Sequence, residues 1–177
     1  MPKTLATLPE EMLGFVDKFF CSYYLSAPPE GAWPSGDYFG DAVCVCVCAQ
    51  FVPTLRRVGL GLVCMQGSAC QFGLKSNLRG DIQTVHRGEA AVALVLLGHL
   101  QNGSVVNYYG DNETCEDTFN KGCEHCRTTL NADIFQDIFC SINSKGISFS
   151  PHWMPSHLLE DPERRRKKSK NPKPVPG

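Results

Sequence analysis

Hydrophobic residues recur at helical spacing near the start of the chain and then switch to alternation, so the pattern itself divides the sequence. Over residues 8–24, Met12, Leu13, Phe15, Val16, Phe19, Phe20, Tyr23 and Tyr24 form a broad apolar stripe, the signature of an amphipathic helix. Thr7 is a good N-cap, Glu10 completes a capping box with it, and Pro9 is tolerated in the first turn. Residues 26–36 (SAPPEGAWPSG) then read as a Pro/Gly-rich linker. The piece over 1–36 is expected to be an add-on that packs on a main domain over 37–158.

From Asp37 onward the period becomes two. Val43, Val45 and Val47 fall on one strand face with Asp41, and Cys44, Cys46 and Cys48 on the other. That cysteine row is expected to be a packed face, because free cysteine behaves as a small hydrophobe. A second strand is expected over 57–66, loosened by Gly59 and Gly61, and a third over 70–76. Their close succession predicts an antiparallel meander. A helix follows over 87–100, with Val92, Val95, Leu96 and Leu100 inward and Gln101-Asn102-Gly103 ending it. Then come a strand over 104–109 and a short helix over 112–121 stopped by Gly122. A helix over 129–143 carries Leu130, Ile134, Phe135, Ile138, Phe139 and Ile142 at helical spacing, and a last strand runs over 147–153. Strands separated by helices pair in parallel through right-handed crossovers. The expected class is therefore α/β: a mixed five-stranded sheet, three antiparallel strands and then parallel ones, with helices on its faces.

Composition alters this picture chiefly through charge. At 177 residues, 42% hydrophobic and 20% charged, the chain suits one ordinary domain with some trim. The net charge of -1 conceals a division. Residues 164–177 hold seven basic residues and no acid, whereas the rest holds ten basic against 18 acidic, a balance of -8. The segment 159–177 thus reads as a basic disordered tail, suited to a polyanion or to a nuclear import receptor. Glu10, Glu11, Asp17 and Lys18 interrupt any secretory hydrophobic region. No stretch reaches the roughly 18 apolar residues of a membrane span, so no membrane partner is expected. Ten cysteines without a signal peptide point to reduced thiols and a nuclear or cytoplasmic place. The oligomeric state stays open.

Three acids stand where apolar segments begin or end. Asp41 opens the run 43–48, Glu89 opens the run 90–100, and Asp111 closes the run 105–109. Desolvating a carboxylate inside such a run is costly, but at its edge the group can face a cleft and hold a cation. Three such edges converging would make an oxygen-only site suited to Mg2+.

In this order, the local words resemble the ribonuclease H domain, of the kind found in retrotransposon reverse transcriptases. TVHRGEAAVALVLLGHL is similar to that family's first helix, and VVNYYGDNETCEDTFNKG to its fourth strand, Asp-Asn pair and following helix. LNADIFQDIF resembles the start of the next helix, and GISFSPHWMPSHL the fifth strand and a His-bearing loop. FGDAV with LRRVGLGLV resembles the first two strands. The resemblance covers about Asp37 to Leu158. It implies an endonuclease that cuts the RNA strand of RNA–DNA hybrids by two-metal hydrolysis, with Mg2+, or Mn2+ as a substitute. Asp41 would bridge the metals, Glu89 would orient one ion and the water, Asp111 would hold an ion, and His157 would move a proton or assist product release.

Family members close with a further helix carrying a fourth acid. Here Leu159-Glu160-Asp161-Pro162 follows instead, and Pro162 stops an ordinary helix. A catalytically inactive binding module of the same fold is therefore the alternative. The residues also have blander readings: Asp111 as a helix cap, Glu89 as a first-turn acid, Asp37 in place of Asp41, and His157 as a loop histidine. A third reading is a small zinc-stabilised interaction protein. Cys123 and Cys126 have zinc-ligand spacing with Cys115 upstream, although a second cysteine pair is lacking.

Overall fold

The computed structural model describes residues 27–47, 55–67 and 69–154. The expected N-terminal helix, His157 and the basic tail lie outside the described residues. The elements are β1 (Gly36–Val47), β2 (Leu55–Gln66), β3 (Ala69–Asn77), α1 (Val85–His99), β4 (Val105–Gly110), α2 (Glu113–Cys126), α3 (Ala132–Lys145) and β5 (Ser148–Trp153). They form one sheet in the order β3-β2-β1-β4-β5. The first three strands pair antiparallel, while β4 and β5 join in parallel. This is the expected α/β architecture, and the element order matches the periodicity.

The two sheet faces differ. Tyr38, Ala42, Val58, Leu60, Leu62, Phe72 and Tyr108 alternate onto the face where the three helices pack. Phe39, Val63, Met65 and Cys70 make a separate cluster on the other face. The inner helix α1 is buried at Ala90 to Ala93, Leu96 and Leu97, not merely along one stripe. It lies close to the sheet because Gly88 faces Ala42, Val58 and Leu60 with no room for a side chain: an added Cβ would come within 2.6 Å of a Val58 methyl. Both ends of α1 are satisfied by side chains. Thr84 accepts from the Arg87 amide at the start of α1. Lys145 donates from the end of α3 to the carbonyls of Leu97, Gly98 and Leu100. Arg87 meets the Asp133 carboxylate at 3.0 and 2.6 Å and so ties α1 to the start of α3.

Several expectations need correction. Trp33, inside the expected linker, is 1% exposed; it packs edge-on against Phe72 and stacks with Tyr38. Leu130 is 72% exposed instead of inward. The helix starts only at Ala132, because Asn131 adopts the left-handed conformation (φ 64°) and breaks the path before it. Cys44 is exposed, not packed. The helix over that face meets the strand at Ala42, and Cys44 projects one side-chain step past it. Helix α2 continues to Cys126, but only through a break at Gly122 (φ 85°, ψ -178°), where the sequence placed its stop.

Two glycines of α1 make a paired test of this packing. Gly98 has open space around its Cβ position, so Gly98→Ala should stabilise by about 1 kcal/mol through helix propensity. Gly88→Ala should instead destabilise by roughly 1–3 kcal/mol, because it overpacks the helix–sheet contact. Chemical denaturation of the two variants would show opposite signs. A gain for both would mean that α1 does not lie against the sheet in this way.

Candidate metal centre

The strand register creates the site. Strand β1 runs parallel to β4 with partners from Gly36↔Val106 to Phe39↔Tyr109. Carrying that register two residues farther sets Asp41 beside Asp111, one just after the pairing ends and the other just after β4 ends. Glu89 comes from the first full turns of α1, which Gly88 seats directly over Ala42. An oxygen of each carboxylate lies within 4.8 Å of the others. Among the described residues this is the one group of three or more side chains able to ligate a metal. Asp41 and Glu89 are buried and Asp111 is half-buried. They open with Ala42, Val43, Cys44, Val85 and Asn112 into a cleft of about 360 Å3.

The electrostatics is that of a crowded cluster. The amide of Ala42 donates to both Asp41 Oδ1 (2.8 Å) and Glu89 Oε1 (3.0 Å), so one backbone N–H holds the two carboxylates together. Burial and then the charge of Asp111 push the Asp41 carboxyl from 3.8 up to about 7, against the lowering effect of its hydrogen bonds with Glu89 and Ala42. Burial, followed by the charges of Asp41 and Asp111, also pushes Glu89 well above the ordinary carboxylate range. A group of acids that resists ionising together is what a divalent cation relieves. The donors are all hard oxygens. A Mg2+ ion bonded to two oxygens at about 2.1 Å spans about 4.2 Å, so the side chains are near the spacing that such an ion needs.

The geometry bears on the blander readings of the acids, while that of His157 lies outside the described residues. Asn112, not Asp111, caps α2: its side chain accepts from the Cys115 amide at 3.0 Å. Glu89 lies beyond the first turn of α1, which holds no acid, and it is buried. Asp37 is occupied elsewhere, accepting from the Asn107 side-chain amide at 2.9 Å. The cysteines do not gather: the Cys126 thiol donates to the Cys123 carbonyl, and the Cys115 thiol to the His86 carbonyl.

The sequence did not single out the small cavity behind Glu89. It measures about 10 Å3 and is bordered by Tyr108, Glu116, Phe119 and His152 among others. Tyr108 is wholly buried, its hydroxyl is unpartnered, and it lies against Gly40, where any Cβ would strike it. Tyr108 was legible only as an apolar strand residue. No periodicity signals that Glu116 of α2 and His152 of β5 come near Glu89.

No protein-family model matches the chain, and neither does any curated protein. Solved structures do. A foamy viral protease-reverse transcriptase in complex with an RNA/DNA hybrid matches with a TM-score of 0.53 at 10% identity, over 83% of this chain and 21% of that one. The foamy viral protease-reverse transcriptase in complex with dsDNA matches with a TM-score of 0.53 at 11% identity, over 76% of this chain and 90% of that one. RNase H1 from the halophilic archaeon Halobacterium salinarum matches with a TM-score of 0.44 at 12% identity, over 67% and 84%. This chain thus spans about a fifth of the first of these proteins. At such identities the likeness to the foamy viral structures is one of architecture, and with the strand order β3-β2-β1-β4-β5 it gives the chain a ribonuclease H-like fold.

Proposed function

We propose that the protein is a metal-dependent endonuclease that hydrolyses phosphodiesters in the RNA strand of RNA–DNA hybrids. The observation that carries this reading is the convergence of Asp41, Glu89 and Asp111 on one open cleft. The structural neighbours include a protein bound to an RNA/DNA hybrid, which supports the substrate class.

In the reaction, the oxygen of a water forms a bond to phosphorus while a phosphorus–ester oxygen bond breaks. The water loses a proton and the leaving oxygen gains one. A divalent cation such as Mg2+, held by these carboxylates, would supply Lewis acidity towards the water and the phosphate oxygens. Asp41 and Asp111, neighbours across β1 and β4, would hold the metal. Glu89, fixed by the Ala42 amide and by a buried helix, would orient one ion and the water. We assign proton movement to His157, since an imidazole is the side chain suited to take up and release a proton near neutral pH. The basic tail would add contacts to backbone phosphates, with the salt dependence that such contacts bring.

Purified protein should cut the RNA strand of a hybrid in Mg2+ or Mn2+. Asp111→Asn should lower the rate at least about 100-fold, the equivalent of ~2.7 kcal/mol of barrier. Gel electrophoresis of end-labelled RNA reads the result. A protein that shifts hybrid on a native gel but cuts none in either metal would be a binding module of the same fold.

Stability offers a second check. A carboxyl held at about 7 in the folded protein stabilises it below the unfolded value of 3.8, and that contribution is lost as pH rises through about 7. In chelator, Asp111→Asn should therefore raise the melting temperature, with a larger gain at about pH 8 than at about pH 5. Saturating Mg2+ should stabilise the wild type more than the variant. An unchanged melting temperature at the higher pH would show that the three acids do not repel one another.

A further inference from the structure

One buried hydroxyl beside the metal centre has no hydrogen-bond partner among the described residues, that of Tyr108. Alternation along β4 turns this residue to the helical face, where it is 4% exposed. Its ring is held from two sides. Phe149 stacks on it with centroids 5.5 Å apart, and the hydroxyl end lies against Gly40, where a Cβ would strike it. The neighbour across the β1–β4 pairing behaves differently: Tyr38 donates to the Pro34 carbonyl at 2.7 Å. Burying a hydroxyl unanswered is costly, and a phenylalanine would fill the same space without that cost. The tyrosine and the glycine that makes room for it therefore point to a polar occupant nearby.

The space for that occupant is the cavity behind Glu89. At about 10 Å3 it is close to the size of a single water molecule. Phe119 and Pro151 border it with apolar surface, whereas Tyr108 and Glu89 supply polar groups. Glu116 and His152 also border it, and His152 is exposed, so solvent has a way in. Burial, and next the charge of Glu89, push the Tyr108 hydroxyl well above the ordinary tyrosine range, so it stays a donor. A carboxylate offers about four lone-pair positions, and the Ala42 amide takes one of them on Glu89. A water in the cavity can therefore accept from Tyr108 and donate to Glu89. It satisfies the hydroxyl and gives the carboxylate a second tether.

We propose that Tyr108 is a positioning residue for Glu89 and acts through one water held in this cavity. This role rests on the reading of Glu89 as a metal ligand. Side chains that bind a metal are commonly oriented by hydrogen bonds from behind, and loss of such a partner weakens the hold on the metal. The Ala42 amide holds Glu89 from β1, and the water on Tyr108 holds it from β4. The two strands that position the aspartates thus also aim the glutamate. Gly40, the residue before Asp41, has its reason in the same contact, since a side chain there would displace the hydroxyl from the cavity.

A crystal structure of the full chain in chelator should show one water at hydrogen-bond distance from both the Tyr108 hydroxyl and the Glu89 carboxylate. An empty cavity, or a hydroxyl bonded to a protein group instead, would overturn the proposal. Tyr108→Phe removes one oxygen and keeps the ring, so the variant should fold. Calorimetric titration with Mg2+, at a temperature where both proteins are folded, should give a dissociation constant about 10-fold higher for the variant. A tyrosine with a structural role alone would lower the melting temperature and leave that constant unchanged. An unchanged constant, or a melting temperature raised by the substitution in chelator, therefore sinks the role of Tyr108 alone. A wild type that binds no Mg2+ would instead overturn the reading of Glu89 as a metal ligand, and this role with it.

Discussion

Three negative side chains held within a few ångströms of one another set the terms for the rest of the molecule. Two unit charges ~4 Å apart repel by about 4 kcal/mol at an effective dielectric of 20, and here two of the three groups are also buried. The fold tolerates this because its most rigid parts meet there. Asp41 and Asp111 are fixed by parallel pairing in the middle of the sheet. Glu89 is fixed by the helix that is buried on most sides. The Ala42 amide, unpaired with β4 at that height, turns to the two buried carboxylates instead. A site of high electrostatic cost is thus placed where little can move to relieve it except by taking up protons or cations.

Much of this could be read from the residues alone. The strands, the meander and the order of helices follow from periodicity, and Gly122 marks its break through a positive φ. The acids were legible because each stands at a change from apolar to polar, where a charge has access to water. The ambiguity between Asp41 and Asp37 was not soluble by pattern, since both lie on the same strand face. Contacts separate them: Asp41 meets Glu89 and Asp111, whereas Asp37 accepts from Asn107.

What stayed hidden depends on contacts between distant segments. Trp33 sits among prolines and glycines without any period, and its burial arises from Tyr38, Phe72 and His99. Leu130 has the spacing of a core residue, yet one left-handed Asn131 removes it from the helix. Cys44 alternates like a packed residue on a strand that outruns its helical cover. The same holds for the cavity behind Glu89, where Tyr108, Glu116 and His152 arrive from three elements.

The pairing of β1 with β4 joins residues seventy positions apart in the chain, as Asp37 and Asn107 show. The connections between the elements that separate them are free to lengthen or shorten, because loops and turns absorb insertions at small entropic cost. A single residue added or removed between Gly36 and Asp41, or between Val106 and Asp111, is another matter. It would displace one aspartate by about 3.3 Å and turn it to the opposite side of the sheet. Natural variation in length should therefore be plentiful in the connections of this protein and excluded from these two stretches of six residues each, as from the turn of α1 that carries Gly88 and Glu89.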